Sequence, residues 1–199
     1  MVFQLETMAV GHQKIRTFIA VRVPETIRQK IAELQNRLKP YCGDIRWVRP
    51  ESIHVTLKFL GDVPAEQIKP IAEAIQKAVA SVRPFDVSVE GTGFFPSSRR
   101  PRVLWVGVEK GFDALKDLAV KVDEVCTTFQ FQKEKRDYSA HLTIGRVRSP
   151  KQIDPLIQTL QTVGFVGGSY RVEEVAVMKS DLLKTGAVYT ALHQIKLQG

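Results

Sequence analysis

The chain has 199 residues, of which 44% are hydrophobic and 25% are charged. This is ordinary globular usage, and it excludes collagen-like, coiled-coil and disordered classes. Lys and Arg outnumber Asp and Glu by 29 to 21, and the resulting net charge of +8 is compatible with an anionic partner without requiring one.

The first half of the chain begins with residues 1–14, which show no clean period and are predicted to form a flexible tail. A single domain is then expected over residues 15–199. Apolar alternation and helical spacing predict a strand, a helix, two extended pieces, a second helix and two further strands. These elements cover residues 16–22, 25–38, 46–49, 52–60, 64–82, 85–93 and 102–108.

The second half has the same order of parts. A helix is predicted over residues 112–129, a strand over 139–147, a helix over 150–163 and a closing strand pair over 170–180 and 187–197. Strands grouped with helices in two similar runs favour an α+β fold with an internal duplication over a strictly alternating parallel sheet. No low-complexity linker separates the runs, so we expect one bilobal domain.

Cysteine usage and the N-terminus indicate a cytoplasmic protein. Cys42 and Cys126 stand outside any CxxC or Cys/His cluster, which favours reduced, buried thiols over a disulfide framework or a zinc finger. The first residues carry a glutamate where a signal peptide carries base, and no apolar stretch is long enough to span a bilayer. We therefore expect a cytoplasmic monomer without a membrane partner.

Each run contains the same short motif, His54-Val-Thr-Leu57 in the first and His141-Leu-Thr-Ile144 in the second. The two motifs use two of the four histidines of the chain. Residues i and i+2 of a strand point to the same face, so each histidine shares a face with its threonine. One motif alone is weak, because a lone strand histidine is more often structural, but the repetition favours a functional pair.

The alternation predicts which side chains are buried. The apolar face of the first motif strand comprises Ile53, Val55, Leu57 and Phe59, and its polar face comprises His54, Thr56 and Lys58. In the second motif strand His141 and Thr143 lie opposite an apolar face of Ala140, Leu142 and Ile144. If the two lobes face each other about a pseudo-twofold axis, both imidazoles and both hydroxyls converge in one cleft.

Two imidazoles that flank an anion suit acid–base chemistry at a phosphodiester. With an unperturbed pKa near 6.5, one ring can take a proton from water while the other gives one to the leaving oxygen. The hydroxyls of Thr56 and Thr143 would hold phosphoryl oxygens. No Asp or Glu stands at strand spacing beside either histidine, which makes a metal site the least favoured interpretation.

Two further residues are candidates beside the motifs. The apolar parity switches after Ile144, and a bulge at Gly145 would place Arg146 on the side of His141, where its guanidinium could stabilise a pentacovalent transition state. Phe18 lies on the less apolar face of the first strand and offers a ring to a base or sugar. Whether the basic clusters at residues 99–102 and 133–136 steer RNA or are solvated loops is left open by the sequence.

Three stretches resemble the signature sequences of the RNA 2′,3′-cyclic phosphodiesterases, a family formerly called 2′-5′ RNA ligases, within the two-histidine phosphoesterases. The resemblance runs from about Ile15 to the C-terminus. The stretches are Arg46-Trp-Val-Arg-Pro-Glu-Ser-Ile-His-Val-Thr-Leu-Lys-Phe-Leu-Gly61, Gly93-Phe-Phe-Pro96 with Arg102-Val-Leu-Trp-Val-Gly107, and His141-Leu-Thr-Ile-Gly-Arg146.

The resemblance implies two antiparallel β-sheets that face a central cleft, with helices on the outer faces. It also implies metal-independent hydrolysis of the 2′,3′-cyclic phosphate of RNA ends or small nucleotides to a 2′-phosphate, with no cofactor. By similarity, His54 is the general acid, His141 is the general base, and Thr56, Thr143 and Arg146 bind the phosphate.

Three other functions remain open from the sequence. The same mechanism could act on a small cyclic phosphate of the ADP-ribose type. The reverse reaction would join RNA ends through a 2′-5′ bond, although water competes with it. A non-catalytic RNA-binding module would make the two motifs coincidental, and its histidine variants would behave like the native protein.

Overall fold

The computed structural model describes residues 13–41, 43–184 and 186–199, so residues 1–12 of the predicted tail and Cys42 lie outside the described residues. The described part contains nine strands, four α-helices and one turn of 3-10 helix. They are β1 (Lys14–Arg22), α1 (Glu25–Leu38), β2 (Asp44–Trp47), the 3-10 turn (Pro50–Ser52), β3 (His54–Pro64), α2 (Ala65–Val79), β4 (Phe85–Phe95), β5 (Val103–Val108), α3 (Phe112–Thr128), β6 (His141–Ser149), α4 (Asp154–Thr162), β7 (Val166–Val172), β8 (Glu174–Leu183) and β9 (Gly186–Lys196).

The strands pair antiparallel in the order β7-β4-β5-β6-β3-β1-β8-β9, and β2 also pairs with β6. We call β3, β1, β8 and β9 the first half-sheet, and β7, β4, β5, β6 and β2 the second. Within the described residues they join at one residue pair, Val55 with Leu142, while β2 follows β6 beyond Gly145. The predicted α+β class with two antiparallel halves is confirmed, and the halves form one continuous ladder at that pair.

The helices cover one face of the sheet. Helices α2 and α3 pack against each other and against the first half-sheet, whereas α1 and α4 pack against the second. The apolar stripe predicted for α1, comprising Ile27, Ile31, Leu34 and Leu38, is buried in the core. We call the opposite sheet face the open face. None of the described helices is long and apolar enough to cross a membrane.

One predicted strand proves to be two. The sequence predicts a single strand over residues 170–180, but β7 ends at Val172 and β8 begins at Glu174. Strand β7 pairs with β4 in the second half-sheet, and β8 pairs with β1 and β9 in the first. The chain therefore crosses between the half-sheets at Glu173, and each half-sheet contains strands from both sequence runs.

A bulge in β3 overturns part of the predicted strand faces. Ile19 pairs with Lys58 and Ala20 pairs with Thr56, so Leu57 has no partner in β1. The side-chain alternation shifts at this point, because an extra residue moves Lys58 and Phe59 to the opposite faces, and a second register shift at Leu60 then restores the original alternation. Phe59, predicted to be buried, is 65% exposed on the open face, whereas Lys58, predicted on the polar face, is 7% exposed on the helix side.

Lys58 is buried as one half of an ion pair. Its ammonium group donates to the Asp123 carboxylate of α3 and, over 2.6 Å, to the Gln132 carbonyl. The same carboxylate accepts from the Glu134 backbone N–H, and the Tyr138 hydroxyl donates to the Thr56 carbonyl. These bonds attach the segment that precedes β6 to the first half-sheet.

The Asp123→Ala variant is expected to lose about 3–5 kcal/mol of unfolding free energy, because it leaves the buried Lys58 charge without its partner. Denaturant unfolding measures this loss. The matched control is Asp117→Ala, an exposed position on the same helix, for which a change within about 0.5 kcal/mol is expected. Equal losses in the two variants would contradict a stabilising role for the ion pair.

Candidate active site

The position of Arg146 follows from a second bulge, in β6. Leu104 pairs with Gly145 and Trp105 pairs with Thr143, so Ile144 has no partner in β5. Ile144 and Gly145 are both buried, and Arg146 is exposed. The sequence predicts this bulge at Gly145, and the irregularity falls one residue earlier with the predicted consequence for Arg146.

The two bulges occupy equivalent places in the two motifs, after the threonine in each case. When the motifs are superposed in sequence, Lys58 matches Gly145 and Phe59 matches Arg146. The pseudo-twofold repeat therefore brings an exposed phenyl ring to the open face from one half-sheet and a guanidinium from the other.

His54 lies in an aromatic environment on the open face. Its ring centroid is 4.7 Å from that of Phe18 and 5.1 Å from that of Tyr189, which meets it edge-on. On the second half-sheet, His141 meets the ring of Phe95 edge-on at 5.1 Å. These contacts limit how far each imidazole can turn.

Hydrogen bonds define the same orientation for the two imidazoles. The Nδ1 atom of His54 lies 2.8 Å from the Ser52 carbonyl oxygen, and that of His141 lies 2.8 Å from the Ser139 carbonyl oxygen. A carbonyl only accepts, so each Nδ1 carries the proton and donates it. In the neutral ring Nε2 is then left as a lone-pair acceptor, the state that a base requires.

Both histidines have lowered pKa values. The pKa of His54 is lowered to about 4, mainly by burial and also by the charges of Arg146 and His141, while the Ser52 hydrogen bond acts in the opposite direction. Burial and the charge of Arg146 also lower the pKa of His141. His54 and His141 each stand next to the Val55–Leu142 pair that joins β3 to β6, so the two imidazoles are carried by neighbouring strands.

The lowered pKa of His54 predicts a loss of stability at acidic pH. Between pH 6.5 and pH 4 the unfolded chain binds a proton at His54 that the folded protein does not, so stability falls as the pH falls through this window. His54 is expected to lower the free energy of unfolding by about 2 kcal/mol between pH 7 and pH 5. Denaturant unfolding at the two pH values measures it.

The matched variant for this prediction is His54→Asn, which cannot titrate. Its unfolding free energy is expected to fall by about 2 kcal/mol less than that of the native protein over the same pH interval. The carboxylates and the other histidines titrate in both proteins, so their contribution to the pH dependence cancels in the comparison. An identical pH dependence in the two proteins would contradict the burial of a neutral imidazole.

The remaining predicted site residues lie on the same strands. Thr56 and Thr143 are half-buried and follow their histidines on the open face, with Ala20 and Trp105 as their cross-strand partners. Phe18 is 2% exposed, and its ring contacts those of His54, Phe59 and Tyr189. The phosphate contacts of the threonines and the base or sugar contact of Phe18 stay predictions.

A cavity of about 580 Å³ opens beside the histidine pair, and Phe18, Tyr189 and Arg146 line it. Its described lining includes neither histidine, but it includes Phe18 and Tyr189, whose rings contact His54. Phe59 and Tyr189 belong to this site and were missed from the sequence. The match of Phe59 to Arg146 in the repeat is a signal that could have found Phe59, whereas nothing in the pattern around Tyr189 marks it.

Neither predicted basic cluster lines this cavity. Its charged side chains are instead Arg16, Arg46, Arg49 and Arg146, and its described lining contains no acidic residue. Across the described ranges, no three or more His, Cys, Asp or Glu side chains are arranged to hold a metal ion. The site thus presents two imidazoles, hydroxyls and guanidinium groups, a set suited to binding phosphate and transferring protons.

Comparisons with known proteins identify the family of the chain. A family model described as LigT-like phosphoesterase matches the chain twice, over residues 21–105 and 106–189. The RNA 2′,3′-cyclic phosphodiesterase of Methanothermobacter thermautotrophicus is 36% identical over 185 residues, which are 92% of this chain and 100% of that protein. The RNA 2′,3′-cyclic phosphodiesterase of Aeropyrum pernix is 31% identical over 84% of this chain and 94% of its own length.

Solved structures give the same result. The crystal structure of a Thermus thermophilus protein matches with a TM-score of 0.79 and 27% identity, over 93% of this chain and 99% of that one. The structure of Escherichia coli LigT in complex with 3′-AMP matches with a TM-score of 0.75 and 26% identity, over 94% of this chain and 99% of that one. The double match of the family model agrees with the internal duplication expected from the two motifs.

Proposed function

Since this chain belongs to the LigT-like phosphoesterase family, we propose that it hydrolyses the 2′,3′-cyclic phosphate of RNA ends and small nucleotides to a 2′-phosphate. The relatives named above carry the name of this activity. The observation that carries the proposal is the matched orientation of His54 and His141, each with Nδ1 on a backbone carbonyl, on the two strands that pair at Val55 and Leu142.

The proposed reaction is a single displacement at phosphorus. A water oxygen attacks the phosphorus atom while Nε2 of His141 takes a proton from that water. The bond from phosphorus to O3′ breaks, and protonated Nε2 of His54 gives its proton to O3′. The product carries a phosphate on O2′ and a hydroxyl on O3′. Proton exchange with solvent then restores His54 to its protonated form and His141 to its neutral form.

Thr56, Thr143 and Arg146 are proposed to hold the phosphate during this step. The threonine hydroxyls lie on the histidine side of each strand and can donate to phosphoryl oxygens. The guanidinium of Arg146 presents a planar fork that matches two oxygens of one phosphate. Negative charge grows on these oxygens as the attacking water adds, so a fixed cation beside them stabilises the transition state more than the ground state.

The burial of His54 affects its proposed role as the general acid. A pKa of about 4 makes His54 neutral in the free protein at pH 7, although an acid must be protonated. A bound phosphodiester anion favours the charged imidazolium and raises this pKa. We therefore propose that His54 becomes the acid only with substrate bound, and that the unbound site holds two neutral rings.

A substrate with a good leaving group separates the two roles. Bis(p-nitrophenyl) phosphate releases a phenolate that needs no proton. The rate loss caused by His54→Ala is therefore expected to be about tenfold smaller, or less still, for this substrate than for a cyclic nucleotide. His141→Ala is expected to slow both substrates equally, because each reaction needs an activated water. Absorbance of p-nitrophenolate gives the rates. The opposite pattern would exchange the roles of the two histidines.

Phe59 is proposed to contact the nucleoside, and Phe18, which is 2% exposed, to support it. The 65% exposed ring of Phe59 lines the cavity beside Arg146 and offers its face to a base, a contact that tolerates any base identity. The two rings lie 5.8 Å apart between centroids, so Phe18 supports both His54 and Phe59 from below the surface.

The experiment that tests the proposed activity compares substrates in the presence of EDTA. Adenosine 2′,3′-cyclic phosphate is expected to be hydrolysed, with 3′,5′-cyclic AMP and ADP-ribose 1″,2″-cyclic phosphate as comparison substrates. Hydrolysis of the ADP-ribose derivative alone would replace the proposal with a small-molecule activity. Absence of all hydrolysis would favour an RNA-binding module. Monomeric state and cytoplasmic location stay predictions.

A further inference from the structure

The cavity beside the histidine pair contains more positive charge than one reacting phosphate needs. Arg146 is assigned to that phosphate, and Arg16, Arg46 and Arg49 also line the cavity. No acidic side chain belongs to the described lining. A concave surface with cationic groups alone attracts and concentrates anions. The inference below rests on the proposed function and concerns which further part of the substrate these arginines bind.

Arg46 and Arg146 are direct cross-strand partners in the pairing of β2 with β6. Side chains that face each other across an antiparallel pair have Cβ atoms about 4.5–5.5 Å apart, and like charges in this position destabilise the sheet. Arg148 of β6 lies at a register shift and forms an ion pair with Asp44 of β2 at 4.0 Å, although Asp44 is in register with Ser149. Arg46 and Arg146, by contrast, are like charges in direct register at the end that reaches the cavity.

Arg49 approaches Arg46 at the tip of the hairpin formed by β8 and β9. The Arg46 Nη2 atom donates to the Leu183 carbonyl over 3.4 Å and lies 3.8 Å from the place that a Cβ on Gly186 would take. Nε and Nη2 of Arg49 lie 3.9 Å from the same place. Two guanidinium groups therefore converge on one point of the cavity wall, one strand away from the phosphate proposed for Arg146.

Apolar side chains accompany these arginines. Leu182 and Leu183 on the hairpin tip are 69% and 52% exposed, and both line the cavity with Phe59. Exposed apolar and aromatic groups next to guanidinium groups are the usual surface for nucleotides, whose bases stack while their phosphates pair with cations. A cavity of about 580 Å³ is in the usual size range for small-ligand sites.

We propose that Arg46 and Arg49 form a second phosphate site, which binds the phosphate on the 5′ oxygen of the terminal nucleotide. In an RNA substrate this phosphate is the linkage to the preceding nucleotide. The site therefore selects the end of an RNA chain over a cyclic mononucleotide that has no 5′ phosphate. The like-charge arrangement of Arg46 opposite Arg146 is then relieved when both phosphates are bound.

The test uses three substrates with the same reacting end: adenosine 2′,3′-cyclic phosphate, its 5′-phosphorylated form, and the adenylyl dinucleotide that ends in the same cyclic phosphate. For the native protein, kcat/KM for each of the last two is expected to exceed that for the first by about ten- to hundredfold, the worth of one or two charge-assisted hydrogen bonds. In the Arg46→Gln/Arg49→Gln double variant both ratios are expected to fall towards one.

The matched control is Arg148→Gln, which removes one positive charge from β6 outside the cavity lining. Its two ratios are expected to equal those of the native protein. Ratios near one in the native protein, or ratios unchanged in the double variant, would overturn the second phosphate site. An equal fall in the control would also overturn it, because the effect would then be one of net charge.

The 5′-phosphorylated nucleotide and the dinucleotide distinguish a site for a phosphomonoester from a site for the phosphodiester linkage of RNA. Preference for the 5′-phosphorylated nucleotide without preference for the dinucleotide would overturn the assignment to an RNA chain, because the site would then serve a phosphomonoester. The substrate without a 5′ phosphate is measured in every protein of the series. Failure of the native protein to hydrolyse any of the three substrates contradicts the proposed function, and is thereby distinguished from failure of the second phosphate site, which changes only the ratios between them.

Discussion

Replacing either His54 or His141 with alanine is expected to lower kcat for adenosine 2′,3′-cyclic phosphate by about 10²–10⁴-fold, the usual contribution of a general acid or base. Each ring is oriented by a backbone carbonyl on Nδ1 and by aromatic contacts, so Nε2 is the atom that remains for proton transfer. Initial rates of phosphate ester hydrolysis measure the effect, with EDTA present throughout.

The double variant distinguishes a concerted pair from two independent contributions. If the two imidazoles act in one step, His54→Ala/His141→Ala is expected to be little slower than either single variant, since residues that act as a unit are not additive. His193→Ala is the matched control, because His193 lies on β9 opposite Val177 and has no proposed role. Unchanged turnover in either single variant would contradict the two-histidine mechanism.

Replacing Arg146 with alanine is expected to lower kcat by about 10²–10³-fold, comparable to the loss of one donor that stabilises transition-state charge. The bulge at Ile144 places this side chain on the open face, and its charge reaches both histidines. Arg146→Lys retains a charge but loses the planar fork, so it is expected to restore only part of the rate. Steady-state kinetics with a cyclic nucleotide measures both variants.

A second measurement separates this role of Arg146 from a structural one. Since the Arg146 charge lowers the pKa of both histidines, its removal is expected to raise both values, and NMR titration of the imidazoles follows this directly. Arg148→Ala is the control, because Arg148 pairs with Asp44. A full rate in Arg146→Ala, or histidine pKa values that do not move, would contradict the proposed geometry.

The motif faces could be predicted from the sequence because they depend on a local rule. Alternation along a strand places His54 with Thr56, and His141 with Thr143, whatever the rest of the chain does. The repetition of the motif then indicated two similar strands. The α+β class and the four helices followed from the same apolar periods, and the structure confirms them.

The two bulges show where that rule stops. The small residue Gly145 after the second motif marks an irregularity, and the displacement of Arg146 was foreseen from it. The first motif has Lys58 at the equivalent position, which is neither small nor a turn former, so the sequence carried no sign that Phe59 faces the open side. The ion pair of Lys58 with Asp123 arises from a contact 65 residues apart, which no local pattern contains.

The crossing of the chain between the half-sheets is also not predicted from the sequence. Residues 170–180 contain no Gly, Pro, Asn or Asp, and the break in apolar alternation at Glu173-Glu174 is the one local sign that β7 and β8 pair with different strands. The hairpin of β8 and β9 brings Tyr189 against His54 and the hairpin tip against Arg46 through that crossing. Cavity-lining residues from distant strands could therefore be identified only from the tertiary structure.

The measurement that tests the proposed mechanism most directly is the product of adenosine 2′,3′-cyclic phosphate hydrolysed in EDTA and in water enriched in the heavy oxygen isotope. Attack by one activated water and departure of O3′ predict adenosine 2′-phosphate with a single heavy oxygen on phosphorus. The 3′-phosphate as product, or loss of turnover when EDTA removes metal ions, would contradict the two-imidazole mechanism.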